Sequence, residues 1–262
     1  MALFDEIFIN KASIFQMLFF NVKAVLVYPT LDDLKISDPQ MYERWKYISK
    51  AKLHVDFDIY LQMNNEIDLQ KKYEENAVQY PEFCKIVAIS YAKLYSENGV
   101  IKRHIKKLAD DNEVMVIEQF MSLLADISND DLKSSSLCGH NIISYDIPFL
   151  IKRYIYNRNI FQLNKTLPLI LKAALNAKPW ESLVIDTVNV WKFNGFEYAP
   201  LMLIVDFLGL KKTVDLKTSV DLSRDYWAMV KTDPQKAIEF VSLQSATQTN
   251  LVAQLIYELR QL

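Results

Sequence analysis

The sequence predicts an α/β fold of three layers, a mixed five-stranded sheet flanked by helices. Three observations carry that expectation. β-rich runs come first, and shorter strand-like runs then alternate with helical ones. Apolar residues make up 51% of the 262, enough for a sizeable core. No Pro/Gly/Ser linker, internal repeat or low-complexity tract divides the chain, so one domain over residues 1–262 is expected, with a helix-containing excursion at about 30–80.

The elements follow in order. Residues 15–28, around "MLFFNVKAVLVYP", read as a buried strand. Asn21 and Lys23 sit inside it, two apart, and therefore on one face. Residues 30–80 are polar, with an amphipathic stretch near 39–52. "CKIVAISYAKLY" (84–95) alternates as a strand does, and "SENG" turns it into "GVIKRHIKKL" (99–108), a hairpin. Residues 112–127 carry apolar spacing near 3.6 and predict a helix. "SSSLCGHN" (134–141) is a short strand entering a loop, and 145–159 a helix with Asp146 at its start and Pro148 in its first turn. Helices are expected over 167–177, over 199–210 closed by Gly209, and over 222–230, with a strand running into a helix at 182–193. Residues 233–262 form a long last helix, capped by Asp233 with Pro234 in its first position.

Formal net charge is −2, from 30 basic and 32 acidic residues, so no overall basic footprint for nucleic acid exists. Two local basic runs stand out, "IKRHIKK" (101–107) and "IKRYIYNRN" (151–159), each of which also fits an ordinary solvated face. Cys84 and Cys138 make no metal pattern and read as small buried hydrophobes in a reducing compartment. The apolar stretch 12–20 lacks a cleavage site, and no run reaches the ~18 apolar residues of a membrane span, so a cytoplasmic protein with no membrane partner is expected. Glycine occurs four times, where average usage of ~7% would give about eighteen. The scarcity argues weakly against a glycine-lined phosphate cradle, and it fits a genome-wide bias toward Lys, Asn and Ile at least as well. Trp180, Trp191, Phe193 and Trp227 are core candidates that could also stack on bases.

The most specific stretch is "GHNIISYDIPFL" (139–150). Its Asn141, Tyr145 and Asp146 resemble the second motif of the DEDD 3′–5′ exonuclease superfamily, Asn-x-x-x-(Phe/Tyr)-Asp. The segments "YPEFCKIVAIS" (80–90), "IDTVNVWKF" (185–193), "FLGL" (207–210) and "YW" (226–227) are similar, in the same order, to the bacterial predicted exonucleases related to the proofreading domain of family-B DNA polymerases. The resemblance implies a ribonuclease H-like fold. It also implies two divalent metals held by four carboxylates, an Asp-x-Glu pair on the first strand, the second-motif Asp, and an Asp on the last helix four residues after a Tyr. Two metals so held stabilise both the attacking and the leaving oxygen.

This chain departs from that pattern at all but one carboxylate. The first-strand pair falls on Asn21 and Lys23, the second-motif Asp is Asp146, and the last helix offers Phe240 and Gln244. The four carboxylate positions sum to zero charge instead of −4. The resemblance therefore implies an inactive exonuclease-like protein without a metal, with nucleic-acid binding retained and Asn141, Lys152, Arg153 and Arg158 as candidate contacts. Lys23 is expected to pair with Asp146, with Asn21 and Gln244 completing a neutral network. Two alternatives stand beside this reading. One is a protein-interaction or regulatory subunit on the same fold. The other is an active 3′–5′ exonuclease using Mg²⁺ or Mn²⁺ in a non-standard site.

Overall fold

A computed structural model describes residues 14–51, 66–131, 135–161, 166–176, 183–193 and 195–260. Its strands are β1 (Met17–Leu26), β2 (Cys84–Glu97), β3 (Val100–Ala109), β4 (Ser136–Gly139) and β5 (Val184–Asp186). Its helices are α1 (Leu31–Ser37), α2 (Pro39–Ala51), α3 (Glu66–Asn76), α4 (Glu113–Asp131), α5 (Asp146–Phe161), α6 (Leu169–Asn176), α7 (Thr187–Trp191), α8 (Leu201–Leu208), α9 (Ser219–Val230) and α10 (Pro234–Leu259). Every element expected from the sequence is found among them, while Trp180 lies outside the described residues.

The five strands form one mixed sheet in the order β3-β2-β1-β4-β5. β4 runs parallel to both β1 and β5, and β3 runs antiparallel to β2 through the tight turn at Asn98 and Gly99, both at positive φ. Glycine at 99 takes that backbone without strain, and Asn is the next most tolerant residue.

The chain groups into two compact units. The first comprises the described residues within Met1–Lys23, Ile86–Leu216 and Ile238–Leu262. Strand alternation organises its core. Met17 and Phe19 of β1 join Ala92 and Leu94 of β2, Cys138 of β4, and apolar residues of α8 and α10 in one buried cluster. Phe20, pointing the other way, meets Phe120 of α4 with ring centroids 5.1 Å apart. The sheet is thus covered on both faces, as a three-layer α/β fold requires.

The second unit comprises the described residues within Ala24–Lys85 and Lys217–Ala237. The polar excursion expected at about 30–80 falls in it. Its centre is aromatic: Trp45 meets Tyr73 and Phe83 edge-on at 5.6 and 5.3 Å. Backbone groups at the end of β1 are met by side chains here. Ser223 Oγ accepts from Leu26 N at 3.0 Å, and Trp227 Nε1 donates to Leu26 O at 2.9 Å. Trp227 thus ties α9 to the end of β1.

Candidate functional site

The site is built in the first unit, where β1 outruns its neighbour. Phe19 lies opposite Cys138, and β4 stops one residue later at Gly139. Asn21 and Lys23 therefore project beyond the carboxyl edge of β4, the region where open α/β sheets hold their ligands. Their odd numbering continues the face of Met17 and Phe19, so both point toward the α10 side.

A tight turn delivers the opposing group. Gly139 has no room for a side chain: an added Cβ would come 2.8 Å from Ile142 Cβ. Asn141 follows at φ 60°, a left-handed position that Asn tolerates. Asp186, at the end of β5, holds this turn. Its carboxylate accepts from Asn141 N at 2.8 Å and Ile143 N at 3.1 Å, and caps α7 through Val188 N at 3.0 Å. His140 packs behind it, Nδ1 bonding Thr187 Oγ1 at 2.9 Å, while burial pushes the imidazole below its ordinary pKa. Thr187 gives its own proton to Gly139 O at 3.2 Å, so His140 Nδ1 is the donor to it. The turn then places Asp146 at the first position of α5.

Asp146 is buried and faces β1. Its Oδ1 accepts from Asn21 Nδ2 at 3.0 Å and from Val22 N at 2.6 Å. Burial raises the carboxyl to about 7, against the opposing effects of the Val22 bond and of Lys23; Asp186 nearby pushes it further up. Lys23 is lowered to about 8 by the same burial, with Asp146 pulling the other way. The two sense each other, yet the expected ion pair is not formed. Asp146 Oδ1 is already occupied by two donors, and the Lys23 ammonium donates instead to Gln248 Oε1 at 2.6 Å.

The terminal helix corrects the expectation for Gln244 as well. The α10 side chain that meets Lys23 is Gln248, one turn further on, whereas Gln244 Nε2 donates to Asp215 O at 3.0 Å. Phe240 is half-buried on the same helix. Between these glutamines lies a polar clasp that sequence reasoning missed. Ser245 Oγ donates to Asn21 O at 3.0 Å and accepts from Ser90 N at 3.0 Å, and Ser90 Oγ lies 2.8 Å from Ser245 Oγ and 2.6 Å from Thr249 Oγ1. The spacing 245, 248, 249 puts all three on one helical face. That i, i+3, i+4 spacing was the available signal.

The structure brings together Asn21, Lys23 and Asp146 and adds Gln248, with Asp186 close enough to act on Asp146. It separates the basic candidates. Lys152 and Arg158 are exposed on α5. Arg153, between them, is buried with 4% exposure. Its guanidinium is bidentate on Glu113, Nε donating to Oε2 at 3.1 Å and Nη2 to Oε1, while Ile86 N donates to Glu113 Oε2 at 3.0 Å. Arg153 is therefore a core ion pair and does not contribute to a surface patch.

The donor set does not fit a pair of divalent cations. Hard cations require several anionic oxygens, and here one carboxylate, already bonded to two N–H donors, stands near an ammonium. Among the described residues no group of three or more His, Cys, Asp or Glu side chains could hold a metal ion. A divalent ion a few ångströms from Lys23 would meet a repulsion on the order of several kcal/mol even at an effective dielectric of ~20. The chain matches no family model, and it has no significant match among curated proteins or solved structures.

Proposed function

We propose that this chain is a catalytically inactive protein of the DEDD 3′–5′ exonuclease type that binds single-stranded nucleic acid without degrading it. One observation carries the reading. The side chains converging at the carboxyl edge of the sheet pair off by hydrogen bonds, Asn21 with Asp146 and Lys23 with Gln248, and bring one carboxyl group and one ammonium where a metal pair needs several anionic oxygens. The mixed sheet with its hairpin at one edge, and the Asn141–Asp146 turn at the head of α5, support the family reading. The loss of three carboxylates supports inactivity, since the superfamily's chemistry depends on two metal ions.

The test is incubation with 5′-labelled single-stranded DNA in Mg²⁺ and in Mn²⁺. No metal-dependent shortening is expected. Shortening that disappears in Asp146→Ala would overturn the proposal and favour an active nuclease.

A second reading, a protein-interaction subunit, has its own observation. In the segment after α7, Phe196 is 99% exposed, and Leu203 and Phe207 on α8 are 61% and 76% exposed. Large apolar side chains so exposed in one stretch mark interaction surfaces. Self-association or partner binding lost in Phe196→Ser/Phe207→Ser, with nucleic-acid binding absent from the wild type, would favour it.

A further inference from the structure

We infer that the solvated face of the β2–β3 hairpin is the docking surface for a single-stranded nucleic acid. The inference deepens the nucleic-acid reading above, but it stands on the hairpin's own residues and does not use the degenerate site.

The register builds the surface. Tyr91 pairs with Lys106, Lys93 with His104 and Tyr95 with Lys102, and residues opposite one another in a ladder share a face. The alternate pairs, Ala92 with Ile105 and Leu94 with Arg103, turn their apolar members into the core beside α10. One face is thus packed and the other carries Lys93, Lys102, His104 and Lys106 in the open, with Tyr95 exposed among them. Tyr91 is fixed at the inner end against Phe120, ring centroids 6.2 Å apart. Arg103 and Lys107 are exposed too, but they alternate onto the opposite face with Ile105 and lie outside this surface.

Charge selects the occupant. The proposed face gathers Lys93 of β2 with Lys102 and Lys106 of β3, and β3 contains no acid, in a chain whose net charge is −2. The hairpin's own counter-charge is Glu97, which is paired with Lys102; Asp110 and Asp111 lie beyond the end of β3. Lysines on an edge strand also deter edge-to-edge pairing. Lys93, on the interior strand β2, and Tyr95 serve no such end.

Geometry then favours a single strand over a duplex. Same-face side chains on a strand recur every ~6.6 Å, a spacing that suits the successive phosphates of an extended chain. Tyr95 offers a ring on which an unpaired base can stack.

The experiment measures binding of fluorescein-labelled oligothymidine to the full chain by anisotropy, across a salt series. Three phosphate contacts, from Lys93, Lys102 and Lys106, predict that log K falls with log salt at a slope of about −2. Lys93→Gln/Lys106→Gln should reduce that slope by about 1.4, and Tyr95→Ala should weaken binding about tenfold at fixed salt. All three positions are exposed, so unfolding curves should match wild type. An unlabelled duplex should compete poorly. If Lys152→Gln/Arg158→Gln abolishes binding and the hairpin variants do not, the inference falls while the nucleic-acid reading stands. If the duplex binds as tightly as the single strand, the inference also falls. Absence of any binding at low salt removes both.

Discussion

Asp146→Asn should make the protein more stable at neutral pH and leave it unchanged in acid. The asparagine Oδ1 can still accept from Asn21 Nδ2 and Val22 N, so the geometry that Asp146 now holds is kept. What changes is the charge. Burial raises Asp146 from 3.8 to about 7. Below about pH 4 both folded and unfolded chains hold this proton, and the site contributes no pH dependence. Between about pH 4 and 7 the unfolded chain releases it and the folded chain keeps it. The unfolded state then binds fewer protons, and stability falls by about 1.4 kcal/mol per pH unit. Over about three units the wild type loses about 4 kcal/mol relative to a variant that cannot ionise there. The Lys23 ammonium, lowered to about 8, stays protonated through most of this window and adds little slope. Urea unfolding of both proteins at several pH values gives the difference, since the titrating groups not coupled to Asp146 cancel, and Lys23, the coupled one, titrates mainly above this window. A stability difference that stays flat from about pH 4 to 8 would show that Asp146 ionises as an ordinary carboxylate. The burial of Asp146 would then not govern its ionisation.

Arg153→Met should destabilise by about 3–5 kcal/mol, because it strands the buried Glu113 carboxylate, and adding Glu113→Gln should recover most of the loss. Urea denaturation checks both, and a change within about 0.5 kcal/mol would mark Arg153 as an ordinary surface residue. Gly139→Ala should cost about 1–3 kcal/mol by overpacking against Ile142, measured as a lowered Tm.

Strand alternation made much of the fold legible. The even and odd residues of β1 and β2 divide between two helical layers as their hydrophobicity suggests, and the turn at Gly99 sets the hairpin register. Strand periodicity put Asn21 and Lys23 on one face, but their meeting with Asp146, more than 120 positions on, was an expectation of the family resemblance and not of any local property. What escaped were side-chain choices between near-equal partners. Phe240/Gln244 and Gln244/Gln248 share one four-residue spacing, and only packing against β1 decides which glutamine meets Lys23. Arg153 escaped for a similar reason. Lys152, Arg153 and Arg158 look alike in sequence, but α5 turns Arg153 toward Glu113, 40 positions earlier in the chain. Asp186 was readable as an N-cap before "TVNVW", but its grip on the Asn141 turn depends on β4 and β5 lying side by side.

The chemistry of the convergence point explains why positive charge matters elsewhere. A strand that carries residues 21 and 23 on its α10 face delivers them beside Asp146 whatever their identity, so the fold imposes proximity and the residue types set the charge. With Asn, Lys and Gln there, the site closes on itself and retains an unsatisfied acceptor, Asn21 Oδ1, in a buried position. An orphan acceptor of that kind costs about 1–3 kcal/mol. Lys23, held by Gln248, has one donor group committed inward and is a poor phosphate anchor. The hairpin's Lys93 and Lys106 are exposed and lie on one face with Tyr95. A polyanion gains more from cations it can reach without desolvating them, so the positive charge best placed to meet one lies on the β2–β3 edge of the sheet and not at Lys23 of β1.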